Sequence, residues 1–98
     1  MRYAVWTVNS CPEQVAESES FLRVVGESVR CFSDTDHYSF PITLRLYALR
    51  ADGMPDRRYR PVDFGIDHDM RVVCHAETIL GLFVRVAANY WKANMKIL

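Results

Sequence analysis

The stretch ITLRLYAL, residues 42–49, alternates with period two. Ile42, Leu44, Leu46 and Ala48 fall on one side, and Thr43, Arg45, Tyr47 and Leu49 on the other. That is the pattern of a strand with one face greasier than its opposite. The N-terminal MRYAVWTVN alternates more loosely, with Tyr3, Val5 and Thr7 against Ala4, Trp6 and Val8. Both sets are mainly apolar, so this strand is expected to be covered on both faces. ADGMPD is a turn, and RRYRPVDF reads as the return strand of a hairpin, which Pro61 would place at a sheet edge.

Helical spacing appears twice. Ser10 lies three residues before Glu13, the capping-box interval, with Pro12 in the first turn. A helix is therefore expected from Cys11, carrying Val15, Leu22, Val25 and Val29 on one side and weakened at Gly26. SVRCFS then reads as a short strand and DTDHYS as a turn. In the last third, Arg71, His75, Thr78, Arg85, Asn89, Lys92 and Lys96 form a polar stripe. Met70, Val73, Ala76, Leu80, Phe83, Ala87, Trp91 and Met95 form an apolar one. The two stripes predict one long helix whose start is capped by Asp67 or Asp69. The rival parse makes MRVVC a strand and begins the helix near His75.

The predicted order is β-α-β-β-β-α in one globular domain, residues 1–98. The expected fold class is α+β: a two-layer sandwich with a mainly antiparallel sheet of three or four strands and two helices on one face. The hairpin strand should be central, with the N-terminal strand paired near it.

Composition narrows the function classes. Twelve acidic residues balance twelve basic ones in 98, so no overall field draws the chain onto nucleic acid or anionic lipid. Ten of the bases are Arg, which suits bidentate and partly buried pairing at interfaces. The three cysteines are an odd set and a poor disulfide framework. The N-terminal stretch has too short and broken an apolar run for a signal peptide, and ILGLFV is too short to span a bilayer. The expected location is cytoplasmic.

Several short motifs hint at chemistry. His75 and Glu77 match the His-x-Glu half of a zinc deaminase site, but no cysteine follows Cys74 to complete it, and zinc needs three protein ligands. On a helix, the two side chains would also point about 200 degrees apart at ~100 degrees per residue. Cys74 and His75 would not face each other either; Cys11, near the expected start of the first helix, is the better-placed thiol, but neither cysteine has an identified third partner. Asp36–His37 and Asp67–His68–Asp69 could contribute to a metal or acid–base site, although neither has a recognised ligand spacing. As turn formers they need no such role. No catalytic residue, metal ligand or cofactor is therefore assigned.

What remains is contact chemistry. Arg50, Arg57, Arg58, Tyr59 and Arg60 cluster around the expected hairpin, and Tyr90 and Trp91 lie in a greasy C-terminal segment. Arg, Tyr and Trp are the residue types that carry interface energy. The expected function is a non-catalytic protein-binding module acting by surface docking on an unidentified protein. It would be a small intracellular inhibitor of the toxin-immunity or anti-CRISPR kind. A homodimer through the C-terminal aromatics is a further expectation. Two alternatives stand beside it: a nucleic-acid-binding protein using the arginine hairpin, and a metal-dependent enzyme using the Asp-His turns.

Overall fold

A computed structural model of the chain describes residues 2–33, 40–75, 84 and 95–97. These hold β1 (Arg2–Thr7), β2 (Gln14–Ser18), α1 (Phe21–Ser33), β3 (Ile42–Leu49), β4 (Val62–Ile66), β5 (Val72–Cys74) and β6 (Met95–Ile97). The strands form one sheet in the order β2-β1-β3-β4-β5-β6. Every pairing is antiparallel except β5 with β6. The class is α+β, as expected, but the sheet is wider than the three or four strands read from the sequence.

The β3 alternation holds. Leu44 and Leu46 are fully buried, and β3 lies between β1 and β4. Its greasy side joins Val5, Val62, Phe64, Ile66, Val72 and Cys74, and onto them pack Val24, Val25 and Phe32 of α1. Tyr3 meets Phe21 edge-on, with ring centroids 4.6 Å apart. Val84, which is helical, joins the same cluster. The remainder of the predicted second helix, residues 76–83 and 85–94, lies outside the described residues, and with it the test of two helices on one face.

Four expectations fail. The first helix does not begin at Cys11. Glu13 donates its N–H to the Thr7 hydroxyl, and its carbonyl accepts from the Thr7 N–H, both at 2.9 Å. These bonds close a hairpin, so Gln14–Ser18 becomes the strand β2. The N-cap is Ser20, whose hydroxyl accepts from the Arg23 N–H at 3.2 Å. Second, the helix runs past Gly26 and absorbs the predicted strand SVRCFS. Val24, Val25, Ser28 and Phe32 form its buried stripe, and the Ser28 hydroxyl returns to the Val24 carbonyl at 2.8 Å. Core packing overrides the strand preference of its valines and phenylalanines.

Third, residues 72–74 are strand and not helix. Val72 and Cys74 are buried and Val73 is half-buried, which is period two. Asp67 is no helix cap: its Oδ1 accepts from the N–H groups of Asp69 and Arg71 at 2.9 and 3.0 Å, and so shapes the β4–β5 turn. At the other end of the predicted helix, Met95–Ile97 forms β6 beside β5. Fourth, Pro61 marks no sheet edge, because β4 is flanked by β3 and β5. Proline sits one residue before the strand, where no ladder donor is required.

Phe32→Ala should cost ~3–5 kcal/mol, as truncation of a fully buried aromatic; an unchanged urea midpoint would contradict the helical register of α1. Gly53 has φ +85° and no atom within 4 Å of where a Cβ would lie. Gly53→Ala should therefore destabilise by ~1–2 kcal/mol through backbone strain alone, read by the same denaturation curve.

Candidate functional site

The site begins with a break in register. Along β3 and β4, Ile42 faces Ile66 and Leu46 faces Val62. Continued, that ladder would set Leu49 opposite Tyr59. Instead Leu49 bridges Pro55, and the Asp56 N–H donates to the Ala48 carbonyl at 2.8 Å. The register has stepped by four residues, so Arg57, Arg58, Tyr59 and Arg60 are pushed out of the sheet as a bulge.

Local bonds hold this bulge and the turn before it. The Arg50 N–H donates to the Met54 carbonyl at 2.8 Å, and the Gly53 N–H to the Arg50 carbonyl at 2.9 Å. The Arg50 guanidinium forks onto Asp52 at 3.1 and 2.7 Å. The Asp56 carboxylate is only 5% exposed and accepts from Arg58 through its backbone N–H, Nε and Nη2, the closest at 2.7 Å. That grip fixes the start of the bulge while the Arg58 side chain stays 78% exposed. The Arg58 guanidinium carbon lies 5.8 Å from the centroid of the Tyr59 ring. Arg58 pulls the Asp56 carboxyl down from 3.8 to about 2, first through its side-chain hydrogen bonds and then through its backbone N–H.

Of the sequence-derived contact residues, Arg50, Arg57, Arg58, Tyr59 and Arg60 come together here. Tyr90 and Trp91 lie outside the described residues. Arg50 and Arg58 are neutralised by their aspartates, whereas Arg57 and Arg60 have no ion pair among the described residues. Two large apolar side chains are also exposed here, Met54 of the preceding turn at 56% and Tyr59 of the bulge at 42%. Sequence reasoning missed Met54, and it missed Asp56 as the residue that orders the bulge. The only signal was the Asp-x-Arg spacing, since a carboxylate two residues away can chelate both the backbone and the side chain of an arginine.

The face of the sheet opposite α1 carries a second polar row. Trp6, Arg45 and Asp63 are direct cross-strand neighbours on β1, β3 and β4. Arg45 forks onto Asp63 at 2.6 and 3.0 Å, and this pairing, joined by Tyr47, raises the arginine pKa further. Continuing the β4–β5 register past Phe64 and Cys74 sets His75 across from Asp63.

This placement disposes of the CHAE motif as a thiol–imidazole pair. Cys74 points into the core and His75 onto the open face, because successive strand residues face opposite ways. Glu77 is outside the described residues, as is the Asp36–His37 pair. Asp67 serves its turn, while His68 and Asp69 are exposed and 3.8 Å apart. Among the described residues, no group of three or more His, Cys, Asp or Glu could hold a metal ion. Cys11 and Cys31 are exposed, Cys74 is buried, and none of the three forms a disulfide among the described residues. No helix among the described residues is long and apolar enough to cross a membrane.

Asp56 makes the bulge acid-labile. Its folded-state pKa is depressed, so its stabilisation is complete above about 3.8 and is lost as pH falls toward about 2. NMR should show the Arg58 and Tyr59 amide signals moving across that interval. A midpoint at the ordinary aspartate value would mean that Arg58 does not hold the carboxylate.

The chain matches no protein-family model, no curated protein and no solved structure.

Proposed function

We propose that this chain is a protein-binding module that docks the bulge at residues 57–60 onto an acidic surface of another protein. It has no chemistry of its own in this reading, and it acts by covering what it binds. The supporting observation is the four-residue register step, which presents Arg57, Arg58, Tyr59 and Arg60 on a pre-ordered loop. A loop already fixed by Asp56 loses little further freedom when it binds, so contact energy goes into affinity. Arg and Tyr supply the anchors, and exposed Met54 in the preceding turn adds adaptable apolar surface. An inhibitor of the immunity or anti-defence type needs no more than such a surface.

The nucleic-acid alternative is less well supported. Asp52 and Asp56 already occupy Arg50 and Arg58, so only Arg57 and Arg60 of this cluster remain for phosphates. The enzyme alternative draws no support from the Asp-His turn that is described.

The double variant Arg57→Glu/Arg60→Glu should weaken binding to the partner that crosslinks to the chain in its own host by roughly 10–100-fold. Its melting temperature should barely change, because both side chains are at the surface. Undiminished affinity would remove the bulge from the interface. Binding to single-stranded DNA that falls steeply with salt, and is lost in the same variant, would replace this reading with the nucleic-acid one.

A further inference from the structure

The bulge shares one end of the sheet with a cleft of opposite charge. Arg2 at the start of β1 is the partner of Leu49 at the end of β3, and Tyr3 is the partner of Ser18 at the end of β2. β2 therefore ends, and α1 begins, at the same end of the sheet at which the bulge leads into β4. Between β2 and the first turns of α1 lies a cleft of about 460 Å³, lined by Arg2, Glu17, Glu19, Ser20, Arg23 and Glu27. It holds three carboxylates against two guanidiniums. Arg2 is shared between Glu17 at 2.9 Å and Glu19 at 3.2 Å, and the Glu19 side chain stays 79% exposed. Glu27 has no ion pair among the described residues. The bulge is the reverse. Arg50 and Arg58 are each matched by an aspartate, while Arg57 and Arg60 have no ion pair among the described residues.

The strand order sets the distance between these two regions. β2 and β4 are separated by β1 and β3, which is three interstrand spacings or about 14 Å. A two-fold axis along the sheet normal, passing between β1 and β3, turns the end of one copy onto the end of another. It brings β2 of each copy opposite β4 of the other. Each bulge then meets the other copy's cleft, the same contact is made twice, and the assembly closes at two copies. Met54 and Tyr59 are exposed on this same end and add apolar area to the contact. The formal net charge of zero sets up no overall repulsion between copies.

We infer that the chain forms a two-fold homodimer through this end of the sheet, with the bulge of each copy seated against the acidic cleft of the other. Arg57 and Arg60 take Glu19 and Glu27, while Glu17 stays with Arg2. This goes beyond the docking reading: the bulge has an occupant without any foreign protein, and a foreign acidic surface must displace the second copy. The surface is also distinct from the C-terminal aromatics expected to carry a dimer, which lie outside the described residues.

Sedimentation equilibrium of the full chain tests the dimer. At roughly 20 mM salt, the mass should rise from one chain to two as protein concentration approaches about 1 mM, and roughly 500 mM salt should weaken the dimer at least tenfold. Arg57→Glu/Arg60→Glu places an acidic bulge beside an acidic cleft, and Glu19→Lys/Glu27→Lys a basic cleft beside a basic bulge. Each variant alone should stay monomeric. An equimolar mixture of the two should dimerise, because each restores the charge pairing that the other lost. None of the four positions is buried, so circular dichroism should show both variants folded. Should the second not fold, Glu19→Lys alone serves in its place. The dimer is overturned by a wild-type chain that stays monomeric throughout, by a dimer insensitive to salt, by a folded variant that still dimerises alone, or by a mixture of folded variants that stays monomeric. Any of these would leave the docking reading to its own test, the affinity of Arg57→Glu/Arg60→Glu for the crosslinked partner.

Discussion

One strand orders the molecule. β3 buries Leu44 and Leu46 on the side that receives α1, and turns Thr43, Arg45 and Tyr47 toward the other. Because β1 pairs with it on one edge and β4 on the other, its phase is copied into both neighbours. Val5, Val62, Phe64 and Ile66 follow it inward, while Trp6, Asp63 and Gly65 follow it outward. A one-residue slip in β3 would put arginine into the core and leucine onto the open face. The hydrophobic core and the polar row of Trp6, Arg45 and Asp63 are therefore two consequences of the same alternation.

The same strand explains why the bulge projects. Phase must be kept between Leu46 and Val62, where the core depends on it, yet the chain between the two strands is longer than a tight hairpin requires. The surplus is taken up by the turn at 50–54 and by looping out four residues, after Pro55 and Asp56 have already paired with the end of β3. A bulge of this kind would be mobile without a fastening. Asp56 supplies one from beneath, because a nearly buried carboxylate whose donors all belong to Arg58 can relax only by releasing them.

The sequence was legible where one signal dominated and misleading where two agreed by accident. The alternation of residues 42–49 has no helical counterpart, and it correctly placed the central strand and both its faces. Arg71 and His75 are four apart, an interval that keeps phase in a strand as well as in a helix, so the polar stripe could not separate the two. The β-branched Val72 and Val73 were the better guide. Ser10 and Glu13 have the capping-box interval, but Glu13 pairs with Thr7 across a hairpin, six residues back, and the capping-box spacing does not reveal that bond. The arginine cluster could be located from sequence alone. Its division into paired and unpaired members could not, since that depends on which carboxylate the fold brings to which guanidinium.

That division also bears on how a neutral chain could carry the cationic docking surface proposed above. At physiological ionic strength, charges are screened over about 8 Å, so an approaching protein responds to the groups nearest it and not to the sum over the molecule. Arg2 is paired with Glu17 and Glu19, Arg45 with Asp63, Arg50 with Asp52 and Arg58 with Asp56. Exposed ion pairs of this sort contribute little to stability. Their larger effect is to cancel charge locally and to hold side chains in place. On the bulge, the cancellation leaves Arg57 and Arg60 without an ion pair among the described residues. In the proposed docking, a neutral total is compatible with a short-range preference for carboxylates, felt only at contact and set by the arginines that have no ion pair among the described residues.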